Sequence, residues 1–497
     1  MSTGKGITSK AAFRLNKPDL NVDLSPVTNG AVVTVYPTSP SVAAAGAQRM
    51  GLYDQIPFLS ESVNETYEFQ EQRTLEGQAG ISGHDVVSKL GAGPIDMDFH
   101  YLGMDNILAA TLGFEKPSYN DSPTFDESQS AGNPMTGTTT AGTTSTTLED
   151  TGASQFVSDN IGEFVRIADE GDGAEGQVRR ITANPDTDNL TVTPAWITNP
   201  GAGKTYQIAR AFTHTYECSK LFGVNTFASH YSNYAAETSG NANDVMLHFG
   251  TLVFDKNVSI WEWRGVMVNS LTLTYSAKES LKASAELVPF DLDLASSINT
   301  ASTNWKYMTG PTTPIHLQER VMPADLTFRV GDWSSGTALD SGDNICISDF
   351  TLNINNNFDV ETQTTCSGLY RAEPLRNGFR EITGTFTVPR YTADTFITAY
   401  NNDTMQMASA VFEGSTLTGS NVASKNTLKI WIRAMKITGY SVPVQGENII
   451  VQTFNFKAFI PTSASAGMPS VTNSNSEIVV QTINNNPFNA FRAQNGE

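Results

Sequence analysis

Along much of this chain apolar and polar residues alternate with a period of two. In "FTLNINNNF", Phe350, Leu352, Ile354 and Phe358 fall on one side, and Thr351, Asn353 and Asn355 on the other. "ITGTFTV" sets Ile382, Phe386 and Val388 against Thr383, Thr385 and Thr387, and "IDMDFHY" sets Ile95, Met97, Phe99 and Tyr101 against Asp96, Asp98 and His100. Successive side chains of a strand point to opposite faces, so the pattern predicts antiparallel sheets with one face on a core and one polar face. The period changes after two of these runs. Ile107, Leu108, Thr111 and Leu112 follow one, and Phe396, Ile397 and Tyr400 follow the other, both with the spacing of a short helix.

These blocks recur. "IDMDFHYLGMDNILAATLGF" parallels "ITGTFTVPRYTADTFITAYNND", with Ile95 matched to Ile382. Upstream, "ESVNETYEFQEQRTLEG" resembles "SDFTLNINNNFDVETQTT" in strand character. Downstream, "KNVSIWEWRGVMVNSLTLTYS" is echoed by "KNTLKIWIRAMKITGYSVP", with Trp261 matched to Trp431, and "LKASAELVPF" by "IIVQTFNFKAF". The expectation is two copies of one β-module, the first carrying a long insertion. A polar low-complexity stretch after Pro117 reads as a linker. Beyond it, residues 162–210 hold four short strands between Gly, Pro, Asn and Asp turns. The resulting division is an extended arm (1–54), module one (55–117 plus 211–297), a surface-projecting insert with its linker (118–210), module two (298–465) and a second arm (466–497).

Composition narrows the function. Fifty-one acidic residues against 31 basic ones give a net charge of −20, which argues against gripping nucleic acid, since phosphate binding rests on Lys and Arg displacing counterions. The three cysteines, Cys218, Cys346 and Cys366, lack metal or redox spacing and predict ordinary thiols. The N-terminus lacks the apolar core of a signal peptide and no run is long enough to span a membrane, so synthesis in a reducing cytoplasm is expected.

Candidate chemistry dissolves on inspection. "GDGAEG" precedes strand-like "QVRRITA" rather than a helix, and Asp172 and Glu175 would repel phosphate. "GAGKT" lacks the first glycine of a phosphate loop, where Thr198 stands. The six histidines (His84, His100, His214, His230, His248 and His316) show no metal-binding pairing. Asp96 and Asp98 read as an acidic strand face rather than a glycosidase pair. Trp261, Trp263, Trp431, Phe454 and Phe456 read as core or interface aromatics rather than sugar platforms. No catalytic site, cofactor or metal is expected.

The pair "IWEWRGVMVNSLTLTYSAKESLKASAELVPF" and "IWIRAMKITGYSVPVQGENIIVQTFNFKAF", with the strand–helix step "VPRYTADTFITAY", resembles the major tail tube proteins of long, non-contractile bacteriophage tails. The resemblance covers residues 55–117 and 211–465. It implies a mainly β fold, with two tandem sandwich or barrel modules each flanked by one helix, a small inserted β-domain and extended terminal arms. It further implies a structural virion protein, not an enzyme, whose rings stack into a hollow tube. Three two-module chains would form a pseudo-hexameric ring, and relatives display small decoration domains outward. The implied partners are other copies of the chain, a tape-measure protein, tail terminator and baseplate or distal tail proteins, and viral DNA passing without specific binding through an acidic bore. A rival reading is a decoration protein or adhesin that binds host glycans through the insert. A secreted glycosidase is disfavoured by the absent signal peptide.

Overall fold

The computed structural model describes residues 10–15, 54–72, 83–116, 123–167, 177–193, 195–196, 198–218, 250–256, 258–289, 291–294, 319–361, 377–444, 446–469 and 476–488. The "GDGAEG" run at 171–176, Cys366, His230, His248, His316 and most of the N-terminal arm lie outside them.

Strands β1 (Lys10–Leu15), β2 (Gln55–Ile56), β3 (Phe58–Glu61), β4 (Asn64–Gln72) and β5 (Gly83–Asp98) lead into helix α1 (Asp105–Leu112), then β6 (Gly113–Lys116) and β7 (Thr124–Glu127). A separate sheet takes β8 (Met135–Thr138), β9 (Thr147–Glu149), β10 (Phe164–Ile167), β11 (Val178–Asp186), β12 (Asn189–Thr193) and β13 (Thr205–Ala209). The chain returns through β14 (Ala211–Cys218), β15 (Gly250–Asp255), β16 (Ile260–Ser276), β17 (Glu279–Val288) and β18 (Asp291–Asp293). The remainder is β19 (Leu326–Asp332), β20 (Asp349–Asn355), β21 (Glu381–Val388), helix α2 (Thr395–Asn401), β22 (Gln406–Thr416), β23 (Lys425–Ser441), β24 (Gln452–Ala458) and β25 (Ile478–Asn484).

The fold is mainly β, and its pairings form two curled layers. In the first layer the antiparallel order is β5–β17–β16–β20–β21–β24–β23, with β3 and β4 on the far side of β5. The second layer holds β2–β1–β15–β16 and β19–β22–β23–β25–β14, with β6 and β7 beyond β14. One apolar core fills the space between them. It joins Ile95, Leu273, Phe386 and Phe456 of the first layer to Phe13, Leu252, Ile430 and Val480 of the second. The alternation in the sequence follows from this sandwiching, because each strand of the first layer has one dry face.

Strands β16 and β23 belong to both layers, and bulges make that possible. An extra residue in one strand bends it and increases its twist. β16 breaks register between Trp263 and Val266 and again between Val268 and Ser270, while β23 does so between Ile432 and Met435 and again between Ile437 and Gly439. Gly265, inside the first bulge of β16, has φ 58, a conformation glycine adopts at little cost. Each first bulge spans an arginine, Arg264 after Trp263 and Arg433 after Ile432; Trp261 lies two residues before Trp263 and Trp431 one before Ile432. In the neighbouring strands Ile95 pairs with Ala285 and Phe386 with Phe454.

Three segments differ from expectation. Part of the N-terminal arm is β1, whose residues after Lys10 are buried between β2 and β15. The supposed linker supplies β7 to the large sheet, and β8 and β9 to the six-stranded sheet β8–β13–β10–β11–β12–β9. The C-terminal arm contains β25, which fills the gap between β14 and β23 with Ile478, Val479 and Val480 buried. Each is too short or too polar in its flanks to announce a strand alone; each gains order from a neighbour on one or both sides.

The inserted sheet has its own core, including Leu148, Phe156, Val165, Ile181, Trp196 and Tyr206. It is docked rather than loosely tethered. Phe164 packs with Phe125, Phe212 and Phe488, the Arg166 guanidinium lies 4.3 Å from the Phe125 ring centre, and Asn421 Nδ2 donates to the Gln129 carbonyl at 2.7 Å.

Candidate assembly interface

The first layer presents a polar face and two open ends. Residues pairing across it put Asp98 beside Lys282, Asp96 beside Ser284, Ser284 beside Thr272 and Thr272 beside Asn353. The row continues through Thr383 to Lys457, and a parallel row runs through Thr274, Thr351 and Thr385 to Asn455. Asp96 accepts from Ser60 Oγ at 2.8 Å and Ser284 Oγ at 2.7 Å, and Asp98 from Ser280 Oγ at 3.0 Å and an Arg320 guanidinium nitrogen at 3.4 Å. The two carboxylates thus share one strand face with hydroxyls. Lys457 pairs with Glu381 at 2.8 Å, and Lys282 with Glu279.

Behind that face lie the aromatics. Phe454 and Phe456 are buried among Phe350, Phe386 and Phe396 at ring-centre separations of 5.2 to 6.3 Å. Trp263 is fully buried in the core, whereas Trp261 is half-buried, with Lys256 Nζ 3.7 Å from its ring centre. Trp431 is half-buried on β23. The structure does not gather the five aromatics into one site.

The joint between β16 and β20 is the central geometric feature. Seven residue pairs run from Ser270 opposite Asn355 to Ser276 opposite Asp349. Leu271, Leu273 and Tyr275 meet Phe350, Leu352 and Ile354 on the core side, and Asn353 Nδ2 donates to Thr272 Oγ1 at 3.3 Å on the polar side. Its ends are fixed by backbone bonds from Asn356 N–H to Asn269 O at 2.8 Å and from Ala277 N–H to Ser348 O at 2.9 Å. Asn356 Nδ2 also donates to the carbonyls of Thr111 and Val268, tying the joint to the end of α1.

The ends of the layer have no such joint. Among the described residues β3 and β4 pair only with β5, and residues 437–441 of β23 pair only with β24. Leu59 is 58% exposed, Phe69 54%, Tyr440 43% and Val444 73%. Unpaired strand edges with exposed apolar residues are pairing surfaces unless covered. Sequence reading missed these edges, although "NETYEFQEQ" alternates without a wholly apolar face and carries exposed aromatics, the one signal that could have marked it.

Elsewhere a buried polar cluster fastens the C-terminal strand. The Asp105 carboxylate accepts from the Tyr216 hydroxyl at 3.0 Å, Thr482 Oγ1 at 2.9 Å and Asn486 Nδ2 at 3.0 Å. The His214 ring bridges Glu115 at 2.9 Å and the Asn486 carbonyl at 2.8 Å. Burial works to lower the pKa of His214, but the charges of Asp105 and Glu115 and its hydrogen bonds outweigh that and hold it up at about 9. Among the described residues no group of three His, Cys, Asp or Glu side chains could hold a metal ion, and no helix is long and apolar enough to cross a membrane.

Compared with known proteins, the sequence matches the family described as phage tail tube protein over residues 28–458. No curated protein matches it.

Proposed function

Given that the chain belongs to the phage tail tube protein family, we propose that it is the repeating subunit of a hollow phage tail, stacked in rings around a bore through which DNA leaves for the host. The observation that carries this reading is the first layer itself: a sheet with one polar face and, among the described residues, an edge without a neighbouring strand at each end, β3–β4 beyond β5 and residues 437–441 of β23. A subunit with two different open edges makes head-to-tail contacts, and such contacts close into rings. The polar face then forms the wall of the bore. Its Asp96, Asp98, Glu286, Asp349 and Glu381, interspersed with Lys282 and Lys457, offer few ion pairs to phosphate, so DNA slides without the salt-linked affinity of a basic groove.

The chain further reads as two copies of a tube module. β5, α1, β16 and β17 in one half correspond to β21, α2, β23 and β24 in the other, and matching bulges in β16 and β23 support the correspondence. Three chains would complete a pseudo-hexameric ring. A tape-measure protein inside the growing tube, and terminator and distal tail proteins at its ends, are the partners such a subunit requires. The adhesin reading, which placed the function in the inserted sheet, is not favoured by membership of this family. Negative-stain microscopy of the concentrated protein tests the proposal: hollow filaments with a regular axial repeat are expected, and a population of discrete compact particles would refute it.

A further inference from the structure

We propose that the β16–β20 joint inside the chain is the pattern for the joint between chains: the open edge of β23 pairs antiparallel with the open β3–β4 edge of a second copy, Tyr440 opposite Glu65 and Val442 opposite Val63. The inference rests on the tube reading above and adds the residues and the register.

The two sides of the internal joint each have a counterpart at an open end. On the β16 side the bulges match Val268 to Ile437 and Ser270 to Gly439, and the partner strand agrees, since Leu271 pairs with Ala285 as Tyr440 pairs with Phe454. Leu271, Leu273 and Tyr275 thus correspond to Tyr440, Val442 and Val444. On the β20 side, Phe350 pairs with Phe386 as Glu61 pairs with Ile95. Two glycines fix this match independently. A Cβ on Gly384 would lie 2.3 Å from Thr351 O, and a Cβ on Gly93 would lie 2.3 Å from Ser62 O. Thr351 therefore corresponds to Ser62, Leu352 to Val63 and Ile354 to Glu65. Leu352 and Val63 are both fully buried.

Hydrogen-bond direction agrees with the register. Ser62 N–H donates inward to Pro94 O at 3.1 Å. Adjacent residues of a strand aim their backbone groups to opposite sides, so Glu61, Val63 and Glu65 aim theirs outward; in the single subunit the Val63 N–H donates to the Glu61 carboxylate at 3.2 Å, a bond the new joint would replace. In β20 the bonds of Asn356 and Ser348 to β16 place Phe350, Leu352 and Ile354 in the same role. Pro443, which has no N–H to give, would correspond to Thr274, a position whose backbone faces β17 and not the joint. The core side of the new joint would set Tyr440, Val442 and Val444 over Val63, which the chain's own residues already cover, with Glu61, paired with Lys256 at 2.7 Å, and Glu65, bonded by the Tyr67 hydroxyl, on either side. A second copy is the occupant that supplies the missing half, because this chain already makes the same joint with itself.

Paired cysteines test the register in full-length protein whose Cys346 and Cys366 are replaced by serine. Ser441→Cys with Asn64→Cys corresponds to the internal pair Thr272 and Asn353, and Gly439→Cys with Thr66→Cys to the pair Ser270 and Asn355. Both are positions without mutual backbone bonds, where Cα atoms approach to about 4.5 Å and a disulfide fits. Oxidised tubes of either registered variant should run as covalent multimers on non-reducing gels. Ser441→Cys with Thr66→Cys, slipped by two residues, should stay at monomer mass, as should Thr272→Cys with Asn353→Cys, which should lose its free thiols within one chain. If the cysteine-depleted parent forms tubes but only the slipped pair, or neither pair, cross-links, the proposed joint is wrong while the tube reading stands. If that parent forms no tubes, both fall.

Discussion

His214 shows how one buried residue can hold a strand that composition alone would leave loose. It sits with no solvent contact between Glu115 and the Asn486 carbonyl, just past β25. Its pKa of about 9 in the fold exceeds the ordinary 6.5, so the protonated ring stabilises the folded state. That contribution is fully present below about pH 6.5 and fades as pH rises through about 9; at 1.36 kcal/mol per unit its ceiling is about 3 kcal/mol. The thermal midpoint of the wild type should fall between pH 7 and 10, and His214→Gln should start lower and show a flatter profile over that range. Parallel profiles would mean that the ring is neutral in the fold. Nothing in "HTY" announced this role, because Glu115, Asp105 and Asn486 reach His214 from distant parts of the sequence.

Among the elements, period two carried the sequence reading a long way and also set its limits. The faces of β5, β20 and β21 and both helices were legible because each strand has one dry side and one wet side. The register was less so. Sliding a strand by an even number of residues leaves every side chain on its own face, so period two does not choose between matching Ile95 to Ile382 and matching it to Phe386. The bulges in β16 and β23 interrupt the alternation, so period two does not fix how Trp261 and Trp431 stand to each other either. The open edges yield to the same alternation. Proline at Glu65 removes an N–H that points away from β5, and edge positions tolerate its fixed φ. Glu65→Pro should therefore keep the wild-type unfolding midpoint within about 0.5 kcal/mol yet fail to form filaments by microscopy. Filaments of normal length from this variant would remove the β4 edge from the assembly.

For the whole molecule, the inserted sheet raises the question of whether the wall depends on it. Its low-complexity lead-in concealed two strands, since Thr and Gly supply backbone for a ladder without an apolar pattern. Its entry and exit nonetheless stay with the large sheet: Glu127 of β7 lies opposite Ala211 of β14, and Arg210 N–H donates to Glu127 O at 2.8 Å. The two ends are therefore placed as the arms of a hairpin, which a two-residue Asn-Gly turn can close. Replacing residues 128–209 by Asn-Gly removes the separate core around Trp196 and Tyr206 without cutting any strand of the two large layers. The loss falls on the contacts of Phe164 with Phe125, Phe212 and Phe488, where aromatic pairs contribute about 0.5–1.5 kcal/mol each beyond the area they bury. Uncovering those rings should lower the thermal midpoint and reduce solubility. The edges of β3, β4 and β23 are untouched, so the shortened chain should still form tubes with the same axial repeat and a smaller outer diameter. A shortened chain that folds, by its circular dichroism, yet forms no tubes would place the inserted sheet in the wall, and the exposed sheet edges would then be insufficient for assembly.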